Sequence, residues 1–177
     1  PNEEVVNNSI EELIYHADIL DMLNTSYESK MVLHIGGVYN DKKSAIKRFI
    51  DNFDRLPLNV KKRLIIENDE KSYNIEEVLY ISSKINIPVV FDNLHHEINS
   101  PNTKLLESQW IDICNKTWLE EDGIQKIHYS QQDMSKNIGA HSYTIDHNVF
   151  LDFYNKLRNK NIDIMLEVKD KNISAVK

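Results

Sequence analysis

The sequence holds a single cysteine, Cys114, in 177 residues. One thiol excludes an intramolecular disulfide framework and fits a reducing, cytoplasmic compartment. No apolar run approaches the roughly 20 residues that a helix needs to cross a bilayer, so no membrane partner is expected. The opening Pro1-Asn2-Glu3-Glu4 has neither the basic nor the apolar stretch of a secretory signal. Starting on Pro, it leaves processing or truncation upstream open. Positive charge is in deficit, with 21 Lys+Arg against 28 Asp+Glu and a net charge of −7. That balance advertises no basic face for a phosphate backbone. Low-complexity segments and linkers are also lacking, and residues 1–177 read as one domain. What remains is 41% hydrophobic and 28% charged, the usual make-up of a folded globular chain.

Hydrophobic periodicity divides the chain into alternating helices and strands. Ile10, Leu13, Ile14, Ala17, Leu20 and Leu23 fall along one stripe of a helix over residues 3–24. Met31-Val32-Leu33-His34-Ile35 reads as a buried strand ending at Gly36-Gly37. Ala45, Ile46, Phe49, Ile50 and Phe53 form a second helical stripe, and Leu64-Ile65-Ile66 a second strand running into Glu67. Asn74 with Glu77 predicts an N-cap and capping box for a helix through about residue 85. Ile87-Pro88-Val89-Val90-Phe91 is the next strand. The scheme repeats with a helix over 103–119, a strand over Ile124 to Tyr129, a helix over 146–158 and a strand over Ile162 to Leu166. Five short strands separated by helices predict an α/β fold with a parallel sheet. Periodicity alone does not separate a barrel from a doubly wound sheet.

Each strand exit carries a residue able to bind metal: His34, Glu67, Asp92, His128 and Glu167. In α/β proteins the carboxyl ends of the strands form the ligand-binding rim, so the five should converge. Alternation places Val32 with His34, Ile65 with Glu67, Val90 with Asp92, Lys126 with His128 and Met165 with Glu167 on one face. His95 and His141 follow in loops, and spacing does not decide between His95 and its neighbour His96. Any one of these residues would pass for a surface or capping group; five successive exits of this kind are much harder to dismiss. Carboxylates crowded into a pocket repel one another unless cations neutralise them, and a mixed His and carboxylate set suits Zn, Mn or Fe. Three carboxylates and four imidazoles exceed the needs of one tetrahedral ion, which points to two or three divalent ions and to phosphoryl chemistry. Lys126 reads either as a structural salt bridge or as a phosphate- or metal-shell group. Cys114, Trp110 and Trp118 read as packing, and His16 and His147 as ordinary polar positions.

The segments His34-Ile35-Gly36-Gly37, Glu67-Asn68-Asp69-Glu70, Phe91-Asp92-Asn93-Leu94-His95-His96, Lys126-Ile127-His128-Tyr129-Ser130, Gly139-Ala140-His141 and Met165-Leu166-Glu167-Val168-Lys169 together resemble the UV damage endonuclease family. The resemblance implies a TIM barrel related to endonuclease IV, with manganese (zinc or magnesium as alternatives) at the carboxyl rim. It also implies hydrolysis of damaged double-stranded DNA immediately 5′ of UV photoproducts and other lesions. Carried over residue by residue, it makes Glu67 the carboxylate bridging metals, Asp92, His128 and Glu167 ligands around it, and His34 a ligand of a second ion. His95 and His141 match ligands of a third ion, and Lys126 a lysine found carboxylated near the metals. Glu67 and Lys126 are thereby the candidate catalytic residues.

One departure stands out. The family has an upstream part with the first three barrel strands, and this sequence begins after it. Five strands are visible where a barrel needs eight and about 250 residues, so a partial barrel lacking its N-terminal strands is expected, with poor nuclease activity on its own. Its two free sheet edges would invite pairing with another copy. The alternatives are a metal-dependent sugar isomerase, whose barrels place similar residues at the strand ends, and a non-catalytic, self-associating fragment.

Overall fold

The computed structural model describes residues 2–176. The chain begins with α1 (Glu3–Met22), which Asn2 caps by accepting from the Val5 amide, with Glu3 and Glu4 in the first turn complementing the helix dipole. It continues through β1 (Met31–His34), α2 (Lys42–Phe53), α3 (Leu58–Arg63), β2 (Leu64–Glu67), α4 (Ile75–Ile85), β3 (Val89–Asp92), α5 (Asn93–Ile98), α6 (Glu107–Asn115), β4 (Lys126–Tyr129), α7 (His147–Lys156), β5 (Asp163–Leu166) and α8 (Asn172–Ala175). The predicted capping box is present: Asn74 accepts from the Glu77 amide, and Glu77 reaches back to the Asn74 amide.

All strand pairs are parallel, and the sheet order is β1-β2-β3-β4-β5. This order settles the question that periodicity left open. A doubly wound sheet reverses its strand order at a switch point, whereas a barrel adds each new strand beside the last. Here no reversal occurs, and among the described residues β1 and β5 are each paired on one side only.

The strands alternate as their sequences require. Leu64, Ile66, Val89, Phe91, Ile127 and Tyr129 join the main core against Ile75, Val78 and Ile81 of α4 and Trp110, Ile111 and Cys114 of α6. Ile65 and Val90, on the opposite face, are fully buried but belong to no part of that cluster. On the same inner face, Val32 of β1 and Met165 of β5 are 42% and 59% exposed, so the inner face is open at its two flanks. Two buried cations brace the approach to β1. Arg63 bonds Asp21 and the carbonyls of Thr25, Ser26 and Ser29, and Lys30 bonds Asp122 and the carbonyl of Lys62.

Three differences from the sequence-based expectations have local causes. The helix expected over 103–119 stops at Asn115, because Thr117 and Trp118 bond the peptide groups of Val89 at the start of β3. His95, expected in a loop, lies in α5, where Asp92 serves as N-cap and accepts from the His95 amide. The short helix α3, which follows Pro57, carries no clear apolar stripe to announce it.

Candidate metal centre

Strand register does most of the assembly. His34 is the register partner of Glu67, and Asp92 that of His128, while Glu67 faces Val90 and His128 faces Met165, so Asp92 and Glu167 each lie two residues further along on the same face. Glu67 lies at the middle. Its Oε1 accepts from His128 Nδ1 at 3.0 Å and lies 3.6 Å from His95 Nδ1, while Oε2 is 3.5 Å from His34 Nε2. His128 Nδ1 is also 3.1 Å from Glu167 Oε1, and the other oxygen of Glu167 is 3.7 Å from His141 Nδ1. His141 comes from a loop that folds back through a bridge between Gln132 and His141. Two groups emerge whose donor atoms all lie within 4.8 Å of one another: His34, Glu67 and His95, and Glu67, His128 and Glu167. Glu67 belongs to both.

The electrostatics follow from burial and pairing. Burial alone would raise the carboxyl of Glu67, yet bonds from His128 and His95 and the charges of His128 and His34 hold it at about 2. Burial works against a charged His128, but Glu167 and Glu67 bond its proton and lift it to about 10. His95 is lifted in the same way to about 9, by Glu67 and Asp92. Asp92 moves the other way, to about 6, because desolvation dominates and His95 offsets it only in part. Glu167 is lowered, chiefly by the bond from His128. The shifts thus run in opposite senses at each pair, with the imidazoles favouring their charged form against the carboxylates of Glu67 and Glu167.

The donor set fits divalent metal on two counts. It mixes imidazole and carboxylate in the proportions that Mn, Zn and Fe accept. In addition, Asp92 Oδ2 is buried without a hydrogen-bond partner, although Oδ1 is used by the His95 amide. A buried carboxylate oxygen left idle is costly unless something charged is meant to meet it.

Of the predicted residues, the structure brings His34, Glu67, Asp92, His95, His128, His141 and Glu167 together. His96 turns away and packs its ring against Phe91 and Trp110. Lys126 is not brought to the cluster. It lies at the start of β4 opposite Asp163, and its ammonium bonds Asp163 Oδ2 at 2.8 Å beside the Trp118 ring. A carboxylate directly across the ladder offers the nearer partner, so the salt-bridge reading describes what is seen. Other basic side chains are engaged elsewhere: Lys42 pairs with Glu77, Lys47 with Asp51, and Arg63 is buried. Sequence reasoning missed Glu70, whose Oε2 is 3.8 Å from His95 Nε2. It also missed Asn68 and Asn93, which follow two of the site carboxylates directly in the sequence.

The model of the UV-endonuclease UvdE family matches residues 1–177. The chain belongs to that family. It is 48% identical over 178 residues to a UV DNA damage endonuclease of Clostridium perfringens, covering 100% of this chain and 43% of that protein. A UV DNA damage endonuclease of Bacillus mycoides is 34% identical over 174 residues, with 97% and 54% covered. The crystal structure of SacUVDE superposes with a TM-score of 0.90 at 43% identity, covering 99% of this chain and 57% of that one. A family 2 AP endonuclease from Brucella melitensis shares the fold, with a TM-score of 0.56 at 15% identity over 94% of this chain and 63% of that one. The chain thus spans about half the length of the curated UvdE relatives it matches.

Proposed function

We propose that this UvdE-family chain supplies the metal-binding rim of a DNA repair endonuclease, which hydrolyses the phosphodiester 5′ to UV photoproducts and other lesions in double-stranded DNA. The observation that carries the reading is the pair of donor triads sharing the buried Glu67, next to the idle oxygen of Asp92. His34, Glu67 and His95 would hold one divalent ion, and Glu67, His128 and Glu167 a second. Asp92 and His141 adjoin them, and manganese is the first candidate. Bound ions would supply Lewis-acid charge that activates water and stabilises the leaving oxygen of the phosphodiester. Glu67 stays ionised at any physiological pH and so provides a permanent anionic anchor. His95 and His128 hold protons that they must give up to become ligands.

Nicking of UV-irradiated supercoiled plasmid in Mn²⁺ tests the proposal. Slow nicking 5′ to the lesions is expected from this partial barrel, lost with chelator and with Glu67→Gln. Sugar turnover instead of nicking, or nicking indifferent to Glu67, would overturn it.

The open flanks of the sheet favour a second, compatible reading, in which two copies associate through β1 or β5. Sedimentation across a concentration series tests it, and a monomer at every concentration would refute it.

A further inference from the structure

At the ends of β2 and β3 the sequence repeats one dipeptide, a site carboxylate followed by asparagine: Glu67-Asn68 and Asp92-Asn93. The two asparagines make the same pair of bonds. Asn68 donates from Nδ2 to the Asp92 carbonyl at 3.0 Å and accepts at Oδ1 from the Asp92 amide at 2.9 Å. Asn93 donates from Nδ2 to the Ser130 carbonyl at 3.0 Å and accepts at Oδ1 from the Ser130 amide at 2.8 Å.

The register explains why. Glu67 faces Val90 and Asp92 faces His128, so each asparagine reaches the residue one beyond its own position across the ladder. The offset is identical at both strand ends. A primary amide carries the donor and acceptor of a peptide group in one plane, so each side chain continues the ladder where the backbone pairing runs out. The bonds fall on Asp92 itself and on the residue two beyond His128. Asn68 has a further contact, since its main-chain carbonyl lies 3.0 Å from His95 Nδ1. A carbonyl can only accept, so Nδ1 carries the proton, and the neutral ring keeps its lone pair on Nε2.

We propose that Asn68 and Asn93 are positioning residues of the metal centre, clamping the exits of β2, β3 and β4 so that Glu67, Asp92, His95 and His128 meet an incoming ion already spaced. This rests on the metal reading above. The two asparagines touch no ion; they act through the strand ends and, for Asn68, through the tautomer of His95.

The test uses the 177-residue chain with Asn68→Ala, Asn68→Asp and Asn93→Ala. Asn74→Ala serves as control, because it removes the cap of α4 and leaves the ligand strands untouched. Amide hydrogen exchange in chelator reads the clamp without metal. Mn²⁺ titration, followed by the resonance signal of the free ion and scaled to the folded fraction, reads the site. Protection is expected to fall at the Asp92 amide in Asn68→Ala and at the Ser130 amide in Asn93→Ala, and to persist at the Asp92 amide in Asn68→Asp, whose carboxylate still accepts but no longer donates to the Asp92 carbonyl. The Mn²⁺ dissociation constant should rise about 10- to 100-fold in each, the usual cost of losing an outer partner of a ligand. The control should lose thermal stability and keep its Mn²⁺ affinity within about twofold, as a cap remote from the ligands should.

Unchanged protection at Asp92 and Ser130 in the two alanine variants would overturn the clamp. Asn68 and Asn93 variants that bind Mn²⁺ as tightly as the wild type would overturn the positioning role while leaving the metal reading intact. A wild-type chain that binds no Mn²⁺ would overturn both. Should Asn68→Ala fail to fold, Asn93→Ala carries the same decision, since Asn93 is only half-buried and its bonds repeat those of Asn68.

Discussion

The central strands β2 and β3 are buried at every residue, whereas β1 and β5 alternate between half-buried and exposed positions. The donor residues inherit that division. The side chains of Glu67 and Asp92 are 4% and 0% exposed, against 46% for His34 and 29% for Glu167. In the middle of the sheet a carboxylate is held by neighbours on both sides, and its protonation is set by them. At the flanks the same kinds of residue are tied to the cluster by one strand and by solvent-facing contacts. The interior half of the centre is therefore held by the packing of the sheet, and the outer half lies open at the flanks.

The comparison is most directly broken by stability. Ile65→Ala deletes buried volume from a strand paired on both sides and should cost about 2–4 kcal/mol in urea unfolding. Val32→Ala, on the same face of β1, should cost less than about 1 kcal/mol because Val32 is already 42% exposed. Equal losses would mean that β1 is covered in solution, as self-association through that edge requires.

Metal affinity should sharpen the same contrast. Glu67→Gln is expected to weaken Mn²⁺ binding about 100-fold, equivalent to about 2.7 kcal/mol. His34→Asn, at the flank, should weaken it only about 10-fold. A reversal of that order in a titration would show that the exposed ligands dominate.

Proton linkage gives a smaller signal with a fixed sign. His95 at about 9 and His128 at about 10 both lie above the value of a free imidazole, so both are charged at pH 7 without metal. Mn²⁺ must displace those protons. Its affinity should therefore rise with pH, and titration heats at pH 7 should differ between buffers of different ionisation enthalpy. In the metal-free chain the same two groups contribute stability that is full below about 6.5 and is lost as pH rises through about 9 and about 10. Metal binding that releases no protons would contradict this.

The smallest effect concerns Lys126. Asp163→Asn breaks a half-exposed ion pair at the β5 edge and should shift stability by no more than about 1 kcal/mol. It should leave Mn²⁺ affinity unchanged, because the ammonium of Lys126 contacts none of the donor residues. A change in affinity would return Lys126 to the centre.

How much of this was legible in the sequence depends on which interactions write themselves into nearest neighbours. Alternation along Leu64-Ile65-Ile66-Glu67 and along Val90-Phe91-Asp92 reveals both the strand and the side from which the carboxylate leaves it. Asn74 and Glu77 announce a helix start because the cap is made within one turn. Barrel-type order was not readable, since it depends on which strands become neighbours. The α5 helix was missed because Asp92 is at once the end of a strand and the cap of the following turn. Lys126 shows the limit of alternation, which assigns a face but not the length along it at which a long side chain finds its partner.

Glu67 stands in both donor triads, and that shared membership makes the two prospective ions one unit of inheritance. A centre built from two separate ligand sets could lose one ion and keep a residual function through the other. Here a single base change that alters Glu67 would empty both positions together. No gradual route leads away from both triads through this residue, and variation in the centre should be tolerated first at the flanks, where His34 and Glu167 each stand in one triad.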